Sequence, residues 1–81
     1  MSCFVYVIAS ERDGTCRTYV GWTTDLDRRV AQHNAGTGAK STRGRDWVLL
    51  YAERFETRND AMSREWHVKH DKKLRRMLVA R

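Results

Sequence analysis

The dipeptide Asp13-Gly14 lies between two runs of β-forming residues, CFVYVIAS (3–10) and RTYVGWT (17–23). Asp-Gly flanked by such runs signals a β-hairpin, because a two-residue type I′ turn needs positive φ at both central positions. A turn centred there pairs residues whose numbers sum to 27. Tyr6 then faces Gly21, and Tyr19 becomes its diagonal neighbour on the same face of the sheet. A slip of one residue would put the two tyrosines on opposite faces, so their meeting depends on the turn. The first run is apolar on both sides, with Phe4, Tyr6 and Ile8 on one and Cys3, Val5 and Val7 on the other. That pattern predicts a central strand covered from both faces.

Further along, Thr24 has the chemistry of a helix N-cap, with Asp27 as the third helical residue. The helix it starts is expected to run to about Ala35 and stop at Gly36, with Leu26 and Val30 as apolar anchors. TGAKSTRGRD (37–46) is a basic loop without periodicity, and WVLLYAERF (47–55) reads as a third strand. Thr57 followed by Asp60 marks a second helix, carrying Ala61, Met62, Trp66 and Val68. It continues or breaks near Asp71 into a last segment whose apolar side is Leu74, Met77 and Leu78. The order β-β-α-β-α-α predicts an α+β fold, a small, mostly antiparallel three-stranded sheet flanked by helices.

The 81 residues are expected to form a single domain over 1–81. A domain of that size buries only about 60% of the surface its unfolded chain exposes, so each polar residue spent on the core needs a reason. Sixteen Lys and Arg against ten Asp and Glu leave a net charge of +6, which suits a polyanionic partner, most often nucleic acid. The only two cysteines, Cys3 and Cys16, fall near opposite ends of the hairpin. At about 3.3 Å per residue they are roughly 25 Å apart, too far for a disulfide. Free thiols fit a reducing cytoplasm. No apolar run approaches the ~20 residues of a membrane span, which predicts a soluble, intracellular protein.

Several residues fit a plain fold poorly. Tyr6 and Tyr19 share a face, and Gly21 opposite Tyr6 leaves room for something to approach the sheet; the alternative is two half-buried core tyrosines. Arg29 and His33 are one helical turn apart beside the Leu26/Val30 stripe. Together they suit the binding and neutralising of a phosphate, or they are amphipathic side chains lying on the helix surface. Glu65 falls within the arc of Ala61, Met62 and Val68. A carboxylate there is either paired with Lys69 or Arg29, or a ligand for a hard divalent ion such as Mg²⁺. Two basic clusters remain, Lys40, Arg43 and Arg45 on the loop and Lys69, Lys72, Lys73, Arg75 and Arg76 near the end, both suited to phosphate contacts.

Together these residues resemble the GIY-YIG nuclease family. Phe4-Val5-Tyr6 is similar to its first motif and Tyr19-Val20-Gly21 to its second, although Phe4 stands where the motif name has glycine. Thr24, Asp25, Arg29 and His33 are in step with the motif helix. GAKSTRG, a strand and then AMSREWHVK resemble the small single-domain subfamily. No Asn follows Glu65, whereas some relatives place one there.

The resemblance implies that Tyr6 and Tyr19 are active-site tyrosines, Arg29 the catalytic arginine and His33 the histidine one turn later. It implies that Glu65 holds a single divalent metal, with Lys69 at a basic position beyond it. The expected activity is a Mg²⁺- or Mn²⁺-dependent endonuclease, hydrolysing DNA in preference to RNA and selective for branched, nicked or single-stranded structure, with a role in DNA repair. One of the two tyrosines, Tyr6 or else Tyr19, would act as the general base, which requires a phenol titrating well below its usual value near 10. His33 and Tyr19 would orient the phosphate or nucleophile. The alternative is a nucleic-acid-binding module of the same fold with weak or partner-dependent catalysis, a protein partner then supplying recognition.

Overall fold

The computed structural model describes residues 2–80. The chain runs β1 (Cys3–Arg12), β2 (Thr15–Thr23), α1 (Leu26–Ala35), a single 3₁₀ turn (Lys40–Thr42), β3 (Val48–Phe55), α2 (Arg58–Lys69) and α3 (Lys72–Val79). This is the expected β-β-α-β-α-α order. The hairpin turn forms at Asp13 (φ 53°) and Gly14 (φ 78°), the left-handed pair that a type I′ turn requires. It fixes the expected register, with Tyr6 opposite Gly21 and Ile8 opposite Tyr19. The sheet order is β2-β1-β3, all antiparallel, so β1 is central. On the β3 side the register shifts between Val7, opposite Tyr51, and Ile8, opposite Leu49. The bulge at Leu50 lets Leu50 and Tyr51 both pack on one face.

Each face of β1 has its own core. Cys3, Val5 and Val7 pack with Val20 beneath Ala61 and Val68 of α2 and Leu78 of α3. On the other face Tyr6 and Ile8 pack with Trp47 beneath Leu26 and Val30 of α1. Tyr6 and Tyr19 lie on the face of this second, smaller core, next to Arg29 and His33 of α1, whereas Glu65 lies on α2.

Three expectations about the helices need correction. The cap of α1 is Asp25, not Thr24: its carboxylate accepts from the Arg28 N–H at 3.2 Å. Thr23 is responsible, because its hydroxyl engages both backbone groups of Asp25 and keeps the chain extended one residue longer. Met62 and Met77, expected on the apolar sides of α2 and α3, are largely exposed, at 47% and 59%, as is Trp66. A three-stranded sheet offers only a narrow strip, which Ala61 and Val68 already fill. The remaining ends are as read: Gly36 stops α1 with φ 80°, Thr57 caps α2, and Asp71 caps α3 and separates it from α2.

The 37–46 loop is tied to the hairpin. The Arg45 guanidinium donates to the carbonyls of Ser10 (3.1 Å) and Thr15 (3.3 Å), and Arg12 donates to the carbonyl of Gly44. Both thiols are free, Cys3 buried and Cys16 exposed. Among the described residues no helix is long and apolar enough to cross a membrane.

Candidate active site

β1 and β2 present Tyr6 and Tyr19 from the same sheet face, their ring centroids 6.4 Å apart. The space over Gly21 is not left for a ligand, as the sequence suggested. The Tyr6 ring itself occupies it: a Cβ on Gly21 would sit 2.5 Å from the phenol oxygen. The missing side chain lets the tyrosine lie flat along the sheet and reach α1.

There it meets His33, which is fully buried rather than on the helix surface. The Tyr6 hydroxyl lies 2.7 Å from His33 Nε2, and His33 Nδ1 lies 2.8 Å from the Thr42 hydroxyl. Thr42 spends its own proton on the carbonyl of Ala39 (2.8 Å), so its oxygen accepts from Nδ1–H. That assigns the tautomer. Nδ1 carries the proton, Nε2 is the acceptor, and the Tyr6 hydroxyl donates to it. Burial, reinforced by the charge of Arg29, holds His33 below its ordinary value of 6.5 and keeps it neutral. Burial also pushes the Tyr6 phenol above 10, with Arg29 pulling against it. The phenol is therefore a proton donor at rest, opposite to the lowered pKa expected of a free-standing base.

The loop is built around this histidine. Trp47 donates its indole N–H to the Thr42 carbonyl (2.8 Å), and Asn34 of α1 brackets the Trp47 backbone N–H and C=O. Gly38 crosses directly over the ring, where a Cβ would meet Nδ1 at 2.6 Å. Tyr19 lies against the same imidazole, with centroids 5.0 Å apart.

Arg29, half-buried one turn before His33, donates to Gln32 Oε1 at 3.2 Å. Both line a cleft of about 340 Å³ between the end of β2 and the start of α1, with Thr24, Asp25 and Arg28. Glu65, on α2, is 22% exposed and pairs with Lys69 at 3.6 Å. Its charge also registers on the Tyr6 phenol, which it raises. Among the described residues no cluster of three or more His, Cys, Asp or Glu is arranged to hold a metal. Glu65 would be a lone hard carboxylate ligand, which fits an ion such as Mg²⁺ that keeps most of its waters.

The structure thus brings Tyr6, Tyr19, Arg29 and His33 together, with Glu65 close enough to act electrostatically on the Tyr6 phenol. Lys40, Arg43, Lys69, Lys72 and Lys73 are exposed, whereas Arg45 is committed to the hairpin carbonyls. Thr42 and Gln32 were not singled out by the sequence. Gln32 stands three residues after Arg29, a helical spacing that signals contact; Thr42 carries no comparable mark.

Residues 2–77 match the family described as the GIY-YIG catalytic domain. The chain is 54% identical over 66 residues to a UPF0213 protein of Halobacterium salinarum, covering 80% of this chain and 82% of that one. It is 43% identical over 67 residues to a UPF0213 protein of Clostridium perfringens, covering 82% and 69% respectively. Among solved structures, the solution NMR structure of a UPF0213 protein from Bacillus halodurans is similar at 40% identity. That likeness has a TM-score of 0.52 and covers 99% of this chain and 84% of that one. With the tyrosine pair, the motif helix and the sheet order in the arrangement described above, the chain belongs to the GIY-YIG family.

Proposed function

We propose that the protein is a divalent-metal-dependent endonuclease that hydrolyses phosphodiester bonds, with DNA the preferred substrate and exposed single strands or branches the preferred structure. The observation that carries this reading is the buried Tyr6–His33–Thr42 hydrogen-bond chain, ending one helical turn from Arg29. A plain fold gains little from ordering so many polar atoms in a small core.

The chain works as a proton relay. Tyr6 is buried at rest; an attacking water admitted to its phenol would give a proton to the phenol oxygen as the phenol passes its own to His33 Nε2. The phenol therefore never needs to be ionised at rest, and its raised pKa is no obstacle. Nδ1–H of His33 keeps donating to the Thr42 hydroxyl oxygen, which holds the resulting imidazolium in place. Arg29, oriented by Gln32, offers its guanidinium to the non-bridging phosphate oxygens, where negative charge develops. Tyr19, packed on His33, fixes the imidazole plane and shapes the phosphate seat. Glu65 would hold the divalent ion, which supplies charge neutralisation at the leaving oxygen when bound. The exposed Lys40 and Arg43 on the loop, and Lys69, Lys72 and Lys73 on α2 and α3, would contact flanking phosphates. Among the described residues none of these but Lys69 has an acidic partner, which beside the net charge of +6 supports a polyanion as substrate. Two free thiols support a cytoplasmic setting, and a partner protein would supply sequence or structure recognition beyond the cleft.

The test is cleavage of labelled single-stranded, nicked, flapped and branched DNA, with matched RNA, in Mg²⁺, Mn²⁺ or EDTA, beside Glu65→Ala. Metal-dependent cutting of DNA that is lost in the variant supports the proposal. Folded protein that binds all of these and cuts none would leave a binding module of the same fold.

A further inference from the structure

Thr18 and Tyr19 are neighbours on β2 but point to opposite faces of the sheet. Tyr19 faces His33. Thr18 faces α3, where its hydroxyl accepts from Arg75 Nη1 at 3.4 Å. Between β2 and α3 is a cleft of about 440 Å³, lined by Cys16, Thr18, Lys72, Arg75, Arg76 and Val79. This lies across the sheet from the candidate active site, and its volume is within the usual ~300–1,000 Å³ of small-ligand sites.

Three cations and no carboxylate line the cleft. Among the described residues none of the three makes an ion pair. Arg75 also has a buried Nε–H without a hydrogen-bond partner among the described residues, which is costly unless something accepts from it. Thr18 accepts from Arg75 and so has its own proton to offer. These donors ask for an anion with several acceptor oxygens. Val79 and the Cys16 side chain add an apolar wall, which a bare anion does not use.

We propose that this cleft is a subsite for a nucleoside phosphate. The phosphate accepts from Arg75 and Thr18 with Lys72 and Arg76 around it, and the nucleoside lies against Val79 and Cys16. Two sources share that chemistry: a free mononucleotide, or one nucleotide of a single strand that passes around β2. Because β2 is an edge strand, no further strand blocks that route between the two faces.

Cys16 provides a reporter, since it is exposed and lines the cleft while Cys3 is buried. The experiment measures iodoacetamide alkylation of Cys16 in the full chain in EDTA, with AMP, with a short single-stranded DNA, or with sodium chloride at equal ionic strength. A ligand at about ten times its Kd should slow alkylation roughly tenfold. The protection should disappear in the exposed double variant Lys72→Ala/Arg76→Ala. Protection by AMP identifies a free nucleotide as sufficient, and protection by DNA alone identifies the strand. Rates equal to the salt control with both probes, or protection undiminished in the double variant, would overturn the proposal. Cleavage is not read, and AMP is too small to span the flanking-phosphate contacts assigned to Lys72 above, so the AMP result is independent of the nuclease reading.

Discussion

The phenol of Tyr6 donates to Nε2 of His33 across 2.7 Å, joining the central strand to the first helix through a buried polar contact. The Thr42 hydroxyl on the other nitrogen fixes which atom holds the proton. Nitrogen-detected NMR at neutral pH should therefore show His33 as the Nδ1–H tautomer. Its titration midpoint should lie below 6.5, and Arg29→Ala should raise it, since the guanidinium charge adds to burial in depressing it.

The same depression links stability to acid. The unfolded histidine binds its proton near 6.5, the folded one only at lower pH. The unfolded chain thus takes up more protons in between, and stability falls as pH drops from about 6.5 through the folded pKa. Urea unfolding of wild type and His33→Asn at pH 7.5 and pH 5 should show a smaller acid loss in the variant.

Thr42→Val keeps the shape of the side chain and removes the acceptor for Nδ1–H. A buried donor left without a partner costs about 1–3 kcal/mol. Denaturant unfolding should show that loss, and NMR a mixed tautomer. Unchanged stability together with an unchanged tautomer would remove Thr42 from the relay.

Gly21→Ala places a methyl 2.5 Å from the Tyr6 oxygen. Gly21 does not need positive φ, so alanine adds no backbone strain and the clash falls on the tyrosine. The expected outcome is a folded protein with displaced Tyr6 and cleavage reduced by about 10²-fold or more, the scale of losing general acid–base catalysis. Circular dichroism and cleavage of one DNA substrate check both halves.

The register of the hairpin was legible because Asp13-Gly14 admits one turn type, and from it followed the pairing of Tyr6 with Gly21. The role of that glycine was not, since whether the gap stays open depends on the rotamer of Tyr6. His33 and Arg29 were legible by helical spacing alone, but the burial of His33 depends on how the 37–46 loop closes over it. Thr42 and Gly38 act through that closure, which no local pattern in TGAKSTRGRD announces. Met62 misled because a helix projection puts it on one arc with Ala61 and Val68, whereas the narrow sheet takes only those two. Thr24 lost the cap to Asp25 through a side-chain turn at Thr23, a competition between two adjacent good capping residues.

The central claim is that the Tyr6 hydroxyl carries the proton from the attacking water to His33. The most direct measurement is the single-turnover rate of DNA cleavage by Tyr6→Phe, with DNA binding followed in parallel. Phenylalanine retains the ring over Gly21 and removes only the oxygen. The relay predicts a fall of about 10²–10⁴-fold in rate with binding unchanged. A Tyr6→Phe protein that cuts at the wild-type rate would contradict it.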